Sequence, residues 1–199
     1  MGVTFGGPFT TSLGPPIPVP NLILEGRSGL APFGPLPADV NYGLNMTALA
    51  FGVVGIHGGG SLHLVQGVGF RPALSVTERL HFYNNWLDHT KPKDTRKAWA
   101  VHESDVTLSW LTGPHVLYLG ATNAIDIADP ELLVGPFIGI QFRPRERRFS
   151  LQLESRLVGA NFTTDVYDAT WVSPGEPGNG LVTFTLSAAW QLGKMRANQ

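Results

Sequence analysis

The chain has 199 residues, a formal net charge of −1, only 15% charged residues and no cysteine. These values exclude disulfides and thiol-based metal or redox sites and offer no basic field to gather nucleic acid. They also leave less charge than the roughly 25% that covers an average soluble domain, a first hint that part of the outside meets something other than water.

No stretch approaches the roughly 20 apolar residues of a membrane-spanning helix. Helix periodicity is scarce, and period-two alternation recurs instead. Val3 to Thr10 is a candidate first strand. Leu22, Leu24 and Gly26 then alternate with Ile23, Glu25 and Arg27. Tyr42, Leu44, Met46 and Ala48 alternate with Asn41, Gly43, Asn45 and Thr47. Gly58-Gly59-Gly60 reads as a tight reversal between strands, across which His57 and His63 could approach each other. It lacks the Lys and the following helix of a phosphate loop. After a weaker run at 61–66, Leu74, Val76, Leu80 and Phe82 alternate with Ser75, Thr77, Arg79 and His81.

The polar excursion Asp88 to Val101 follows, and then Val106, Leu108 and Trp110 alternate with Asp105, Thr107 and Ser109. Weaker runs lie at 115–123 and 133–142, and Arg143, Arg145, Arg147 and Arg148 form a turn broken by Pro144 and Glu146. The clearest run places Phe149, Leu151, Leu153 and Leu157 on one face and Ser150, Gln152, Glu154 and Arg156 on the other. After a second long loop, Asn161 to Asn179, the last run alternates Val182, Phe184, Leu186, Ala188, Trp190 and Leu192 with Thr183, Thr185, Ser187 and Gln191.

The expected fold is all-β: an antiparallel up-and-down barrel of about 8–10 strands. It forms one domain over 1–199, with a Pro/Gly-rich segment at 1–20 and a tail at 194–199. Alternation alone allows two orientations. A soluble lipocalin-like barrel turns its apolar face inward, around a hydrophobic ligand. A transmembrane barrel turns it outward to lipid.

Three features favour the membrane. The lysines (Lys91, Lys93, Lys97, Lys194) avoid the strands, whose polar faces carry Glu25 with Arg27, Arg79 with His81, and Glu154 with Arg156. Paired Glu and Arg suit a narrow lumen, where charges must be hydrogen-bonded and the planar guanidinium does this better than an ammonium. The aromatics fall into two girdles, Phe82, Tyr83 and Trp86 at one rim and Tyr42, Trp110, Phe142, Phe149 and Trp190 near the other, as in membrane barrels. Connections alternate in length: short at 67–71, long at 87–103, short at 112–114, intermediate at 124–132, short at 143–147 and long at 160–179. The even strand count of bacterial barrels then asks for Val3 to Thr10 as strand one.

On the terminal strand Gly180 to Leu192, the strand Phe149 to Leu157 and the girdle aromatics, the chain resembles small outer-membrane β-barrel proteins of Gram-negative bacteria. Gly6-Gly7-Pro8 followed by Pro18-Val19-Pro20-Asn21 is also similar to barrel-type outer-membrane lipoproteins, although the acylated cysteine is absent. The resemblance implies location in the bacterial outer membrane and contact with membrane lipid and lipopolysaccharide. Another outer-membrane or periplasmic protein is a further candidate partner. Met1-Gly2-Val3-Thr4 lacks a signal peptide's charged-then-apolar pattern, which leaves either a cytosolic protein or a mature form with an added Met; the barrel reading requires the second, with its signal sequence removed. Glu78 falls on the nominally lipid-facing side, where a bulge or a place near the headgroups would accommodate it.

The set Glu25, Arg27, Arg79, His81, Glu154 and Arg156 reads as a salt-bridged network filling the lumen, or else as the charged constriction of a narrow pore for small solutes. Lys91, Lys93, Arg96, Trp99, Tyr167 and Trp171 mark the long loops as recognition surfaces. No metal or other cofactor is expected, because no pair among the 6 histidines has helical ligand spacing. Ser75, Glu78 and His81 share one strand, the nearest approach to the Ser/His pair that some outer-membrane hydrolases carry on a barrel rim. A nucleophile elbow is absent, so no catalytic residue is assigned, and a structural or binding protein is expected rather than an enzyme.

Overall fold

The computed structural model describes residues 2–8, 23–32, 34–46, 53–85, 98–128, 134–144, 148–158 and 181–190. Its strands are β1 (Gly2–Pro8), β2 (Ile23–Gly29), β3 (Ala38–Asn45), β4 (Val53–Val65), β5 (Ala73–Asn85), β6 (Ala98–Thr112), β7 (His115–Asp126), β8 (Val134–Phe142), β9 (Phe149–Val158) and β10 (Leu181–Trp190). Each pairs antiparallel with its neighbour in chain order, and β1 pairs with both β10 and β2, so the sheet closes as an up-and-down barrel. The seam is uneven. β1 runs beside β10 from Gly2 to Pro8 but meets β2 only at Gly2, Val3 and Thr4.

The turns follow from local chemistry. Gly113, at φ 64°, takes a backbone conformation that side chains disfavour, and Pro114 fixes the next φ, giving the tight β6–β7 hairpin. At the β4–β5 turn Gly69 is likewise at φ 59°, and the Arg71 N–H donates to the Val68 carbonyl at 3.1 Å. The connections 30–37, 66–72, 113–114 and 143–148 share one end of the barrel. The strand ends that flank 9–22, 46–52, 86–97, 127–133 and 159–180 lie at the other.

Two expectations about strand limits are corrected. Gly58-Gly59-Gly60 is not a reversal but the middle of β4. A Cβ on Gly59 would run into the backbone of Glu78 and Arg79, so glycine here lets β4 and β5 pack closely. The second correction lengthens β6, which begins at Ala98 and not near Asp105.

Period-two geometry sends successive side chains to opposite faces, and the two faces are the inverse of a water-soluble protein's. Leu153 is 51% exposed, Ile138 63% and Ile56 57%, whereas Asp105, Thr122 and Ser61 are each 4% exposed. The apolar faces of β9 and its neighbours therefore point outward, not into a ligand cavity. Apolar burial inside is small, centred on Tyr83 and Val101 with Trp99 and Ala124 against them.

The glycines of β4 yield a paired prediction. Gly59→Ala should destabilise the fold by about 1–3 kcal/mol through overpacking. Gly58→Ala, whose Cβ would meet nothing within 4 Å, should stay within about 0.5 kcal/mol of the parent. Equilibrium urea unfolding of the two variants measures the difference.

Candidate functional site

Inside the barrel, β5 presents Arg79 and His81, β6 presents Glu103 and Asp105, and β9 presents Glu154 and Arg156. Each pair is two residues apart and so shares the inner face. The Glu103 carboxylate is the hub. It lies 2.9 Å from Arg79 Nη1, 2.8 Å from His81 Nε2 and 3.0 Å from Arg156 Nη1. Arg79 also donates to Asp105 Oδ2 at 2.9 Å. Arg156 donates through Nε and Nη2 to Glu154 Oε1, both at 3.1 Å, and its guanidinium sits 4.8 Å over the Phe137 ring. The Tyr118 hydroxyl donates to the other Glu154 oxygen at 3.0 Å.

Because β7 and β8 stand between β6 and β9 in the wall, the Arg156–Glu103 contact bridges strands that are not neighbours. It is a chord across the interior. Toward the long-connection end the hub continues as a stack: His57 lies 5.1 Å from His81, His81 is 6.0 Å from Tyr83 with near-parallel rings, and Tyr83 is 5.4 Å from Trp99. The large inner rings are accommodated by small neighbours, for His57 lies over Gly43, Tyr83 over Gly55, Tyr118 over Gly139 and Phe137 over Gly120.

Of the residues expected to share a lumen network, Arg79, His81, Glu154 and Arg156 come together. Glu25 lies beside them, 3.7 Å from His57 Nε2. Arg27 does not join: it donates to Asp39 at 2.9 Å, and His63 Nε2 lies 2.8 Å from the same carboxylate. His57 and His63 therefore do not face each other. The hub itself, Glu103, was hidden because residues 87–103 read as a loop. The residues alternating with Val101, Glu103 and Asp105 include His102 and Ser104, so no apolar rhythm marked the start of β6.

Phe82 is outward and half-exposed, but Tyr83 is buried inside instead of forming part of a girdle. Trp86 lies outside the described residues. At the other end Trp110, Phe142, Phe149 and Trp190 lie outward at the ends of their strands, the Phe149 and Trp190 rings 5.1 Å apart. Tyr42 is outward too, but it lies mid-strand over Gly26. Trp99 belongs to β6 and the inner stack, not to a recognition loop. Lys91, Lys93, Arg96, Tyr167 and Trp171 lie outside the described residues. Ser75, Glu78 and His81 do not converge: His81 points inward to Glu103, while Glu78 points outward to His102 and Ser104.

Chemically, the interior is a lattice of opposed charges, with Glu103, Asp105 and Glu154 around Arg79 and Arg156. Each of its guanidiniums meets carboxylates, and Glu103 accepts from three side chains. Such an arrangement ties β5, β6 and β9 together across the interior. Glu103→Ala should destabilise the fold by about 1–3 kcal/mol, since it takes one of two carboxylate partners from each of Arg79 and Arg156 and leaves them Asp105 and Glu154. Urea unfolding is the check, and Glu103→Ala combined with Arg156→Met should recover part of the loss.

No protein-family model matches the chain, and no curated protein matches it in sequence.

Proposed function

We propose that the chain is a bacterial outer-membrane β-barrel whose interior is closed by its Glu/Arg network. Its role is structural, binding or assembly-related, exercised at the long-connection end. The carrying observation is the inverted distribution of polarity, with Leu24, Ile56, Phe82, Val106, Leu119, Ile138, Leu153 and Leu186 all exposed around the wall while charge is buried within. Water would penalise that exterior at about 25 cal/mol per Å² of apolar surface. Lipid removes the penalty, and barrel closure satisfies the backbone groups that hydrocarbon cannot.

Two further features support the reading. The three longest connections, 9–22, 86–97 and 159–180, all join strands at the same end, in keeping with the asymmetry of periplasmic turns and external loops. The outward aromatics at the short-connection end suit a headgroup boundary. Lipid and lipopolysaccharide are then the obligatory contacts, with a second outer-membrane or periplasmic protein as a further partner. A pore for small solutes is less well supported, because Arg156 and Glu103 meet across the interior at 3.0 Å.

Protein extracted from membranes should need detergent and should migrate differently in SDS gels when unboiled and boiled. Free solubility with no mobility shift would overturn the reading. Leu153→Arg should cost about 2–4 kcal/mol if the position lies near mid-bilayer, and should reduce the heat-shifted fraction recovered from membranes.

A further inference from the structure

One outward position breaks the apolar belt. Glu78 on β5 and His102 and Ser104 on β6 form a polar cluster there. Ser104 Oγ donates to Glu78 Oε2 at 2.5 Å, and His102 Nε2 lies 2.9 Å from the same oxygen. Both ionisable side chains are about half-exposed, at 52% and 44%. Leu74, Val76, Leu80 and Phe82 surround Glu78 along its strand. An ionisable group on a lipid-facing wall is costly, and its presence there points first to function. No strand irregularity excuses it, since β5 pairs in unbroken register with β6 through this region.

We infer that this cluster is a serine hydrolase site for the acyl esters of membrane lipids, with Ser104 as nucleophile and Glu78 as base. The arrangement has the parts such chemistry needs: a hydroxyl already hydrogen-bonded to a carboxylate, and a third group orienting that carboxylate. His102 is the positioning residue. Asn123 stands opposite Ser104 on β7, where directly paired Cβ atoms are about 4.5–5.5 Å apart. A side-chain amide at that register position is the kind of donor that stabilises a developing oxyanion.

Room for the substrate lies beside the cluster. Gly58 and Gly60 occupy the outward face of β4, opposite Leu80 and Glu78. A Cβ at Gly58 would meet nothing within 4 Å, and one at Gly60 would meet only the Asp39 carbonyl at 3.4 Å. The two glycines thus leave the wall beside Glu78 bare of side chains, and an acyl chain would lie against it without leaving the lipid.

In the first step Ser104 Oγ bonds to the ester carbonyl carbon as its proton passes to Glu78. The carbon–oxygen bond to the alcohol then breaks, and the departing oxygen takes that proton. Water next attacks the acyl-serine and gives a proton to Glu78. The acyl–Oγ bond breaks, Ser104 recovers the proton, and a fatty acid is released.

The substrate class rests on the membrane reading, so folding is scored separately by the heat-shift gel. Detergent-solubilised protein is treated with a fluorophosphonate probe and, in parallel, given a diacyl phospholipid in mixed micelles. The probe should attach to Ser104, as located by peptide mass spectrometry, and fatty acid should be released. Ser104→Ala should abolish both. Glu78→Gln should retain the heat shift and lower labelling by about 100-fold or more, the usual contribution of a general base. His102→Gln should lower labelling less and move its pH profile, a change that lost stability alone would not produce. A heat-shifted parent that is unlabelled at Ser104 and releases no more fatty acid than Ser104→Ala overturns the hydrolase and leaves the barrel reading intact. A parent with no heat shift and no need of detergent overturns both.

Discussion

The Glu103 carboxylate is the contact on which the interior depends. A barrel wall is held by ladder hydrogen bonds between neighbours, and these say nothing about the distance across it. By accepting from Arg79 and His81 on β5 and from Arg156 on β9, Glu103 ties together strands separated by several ladders. Arg can serve both sides of such a knot because its fork offers several donors in fixed directions. Arg156 uses that fork to reach Glu103 and Glu154 while its flat face rests on Phe137.

The rest of the inner face is arranged around the knot by size. Large rings on one strand stand over glycines on the next, so the interior fills without displacing the backbones. Among the described residues few apolar side chains are buried inside, which makes the network and the ring–glycine contacts their main interior packing. Buried charge is a poor source of net stability unless every partner is satisfied. Its advantage here is specificity: a one-residue slip between β5 and β6 would turn Glu103 outward and Arg79 toward the wrong partner.

Much of the architecture was legible in the sequence, because period-two alternation is a direct imprint of a wall with two unlike faces. Each strand overlaps an alternating or short apolar run, from Val3 to Thr10 through to the strand ending near Trp190, although the runs covered only the later parts of β4 and β6. Arg79, His81, Glu154 and Arg156 could be grouped for the same reason. The failures share a cause as well. Gly58-Gly59-Gly60 carries no side chains to show a period, and glycine signals a turn as readily as a close backbone approach. The first half of β6 looked like loop because His102 and Ser104 occupy places where an apolar residue would have marked the outer face. Alternation is also silent about contacts across a barrel, so nothing in the local pattern paired Arg156 with Glu103.

The same exception that obscured β6 gives the wall an outward polar cluster, and the two faces are coupled by geometry. Glu78 pairs in register with Ser104, and Arg79 pairs with Glu103 on the adjoining rung. The inner ion pair and the outer hydrogen bond are therefore built on successive residues of the same two strands. Locking Arg79 to Glu103 and Asp105 fixes the spacing and twist of β5 against β6, and so fixes where Glu78 meets Ser104. An outward-facing cluster on the wall has little of its own to hold it rigid. It gains its geometry from the buried network behind it, as a reactive constellation requires support from the groups beneath.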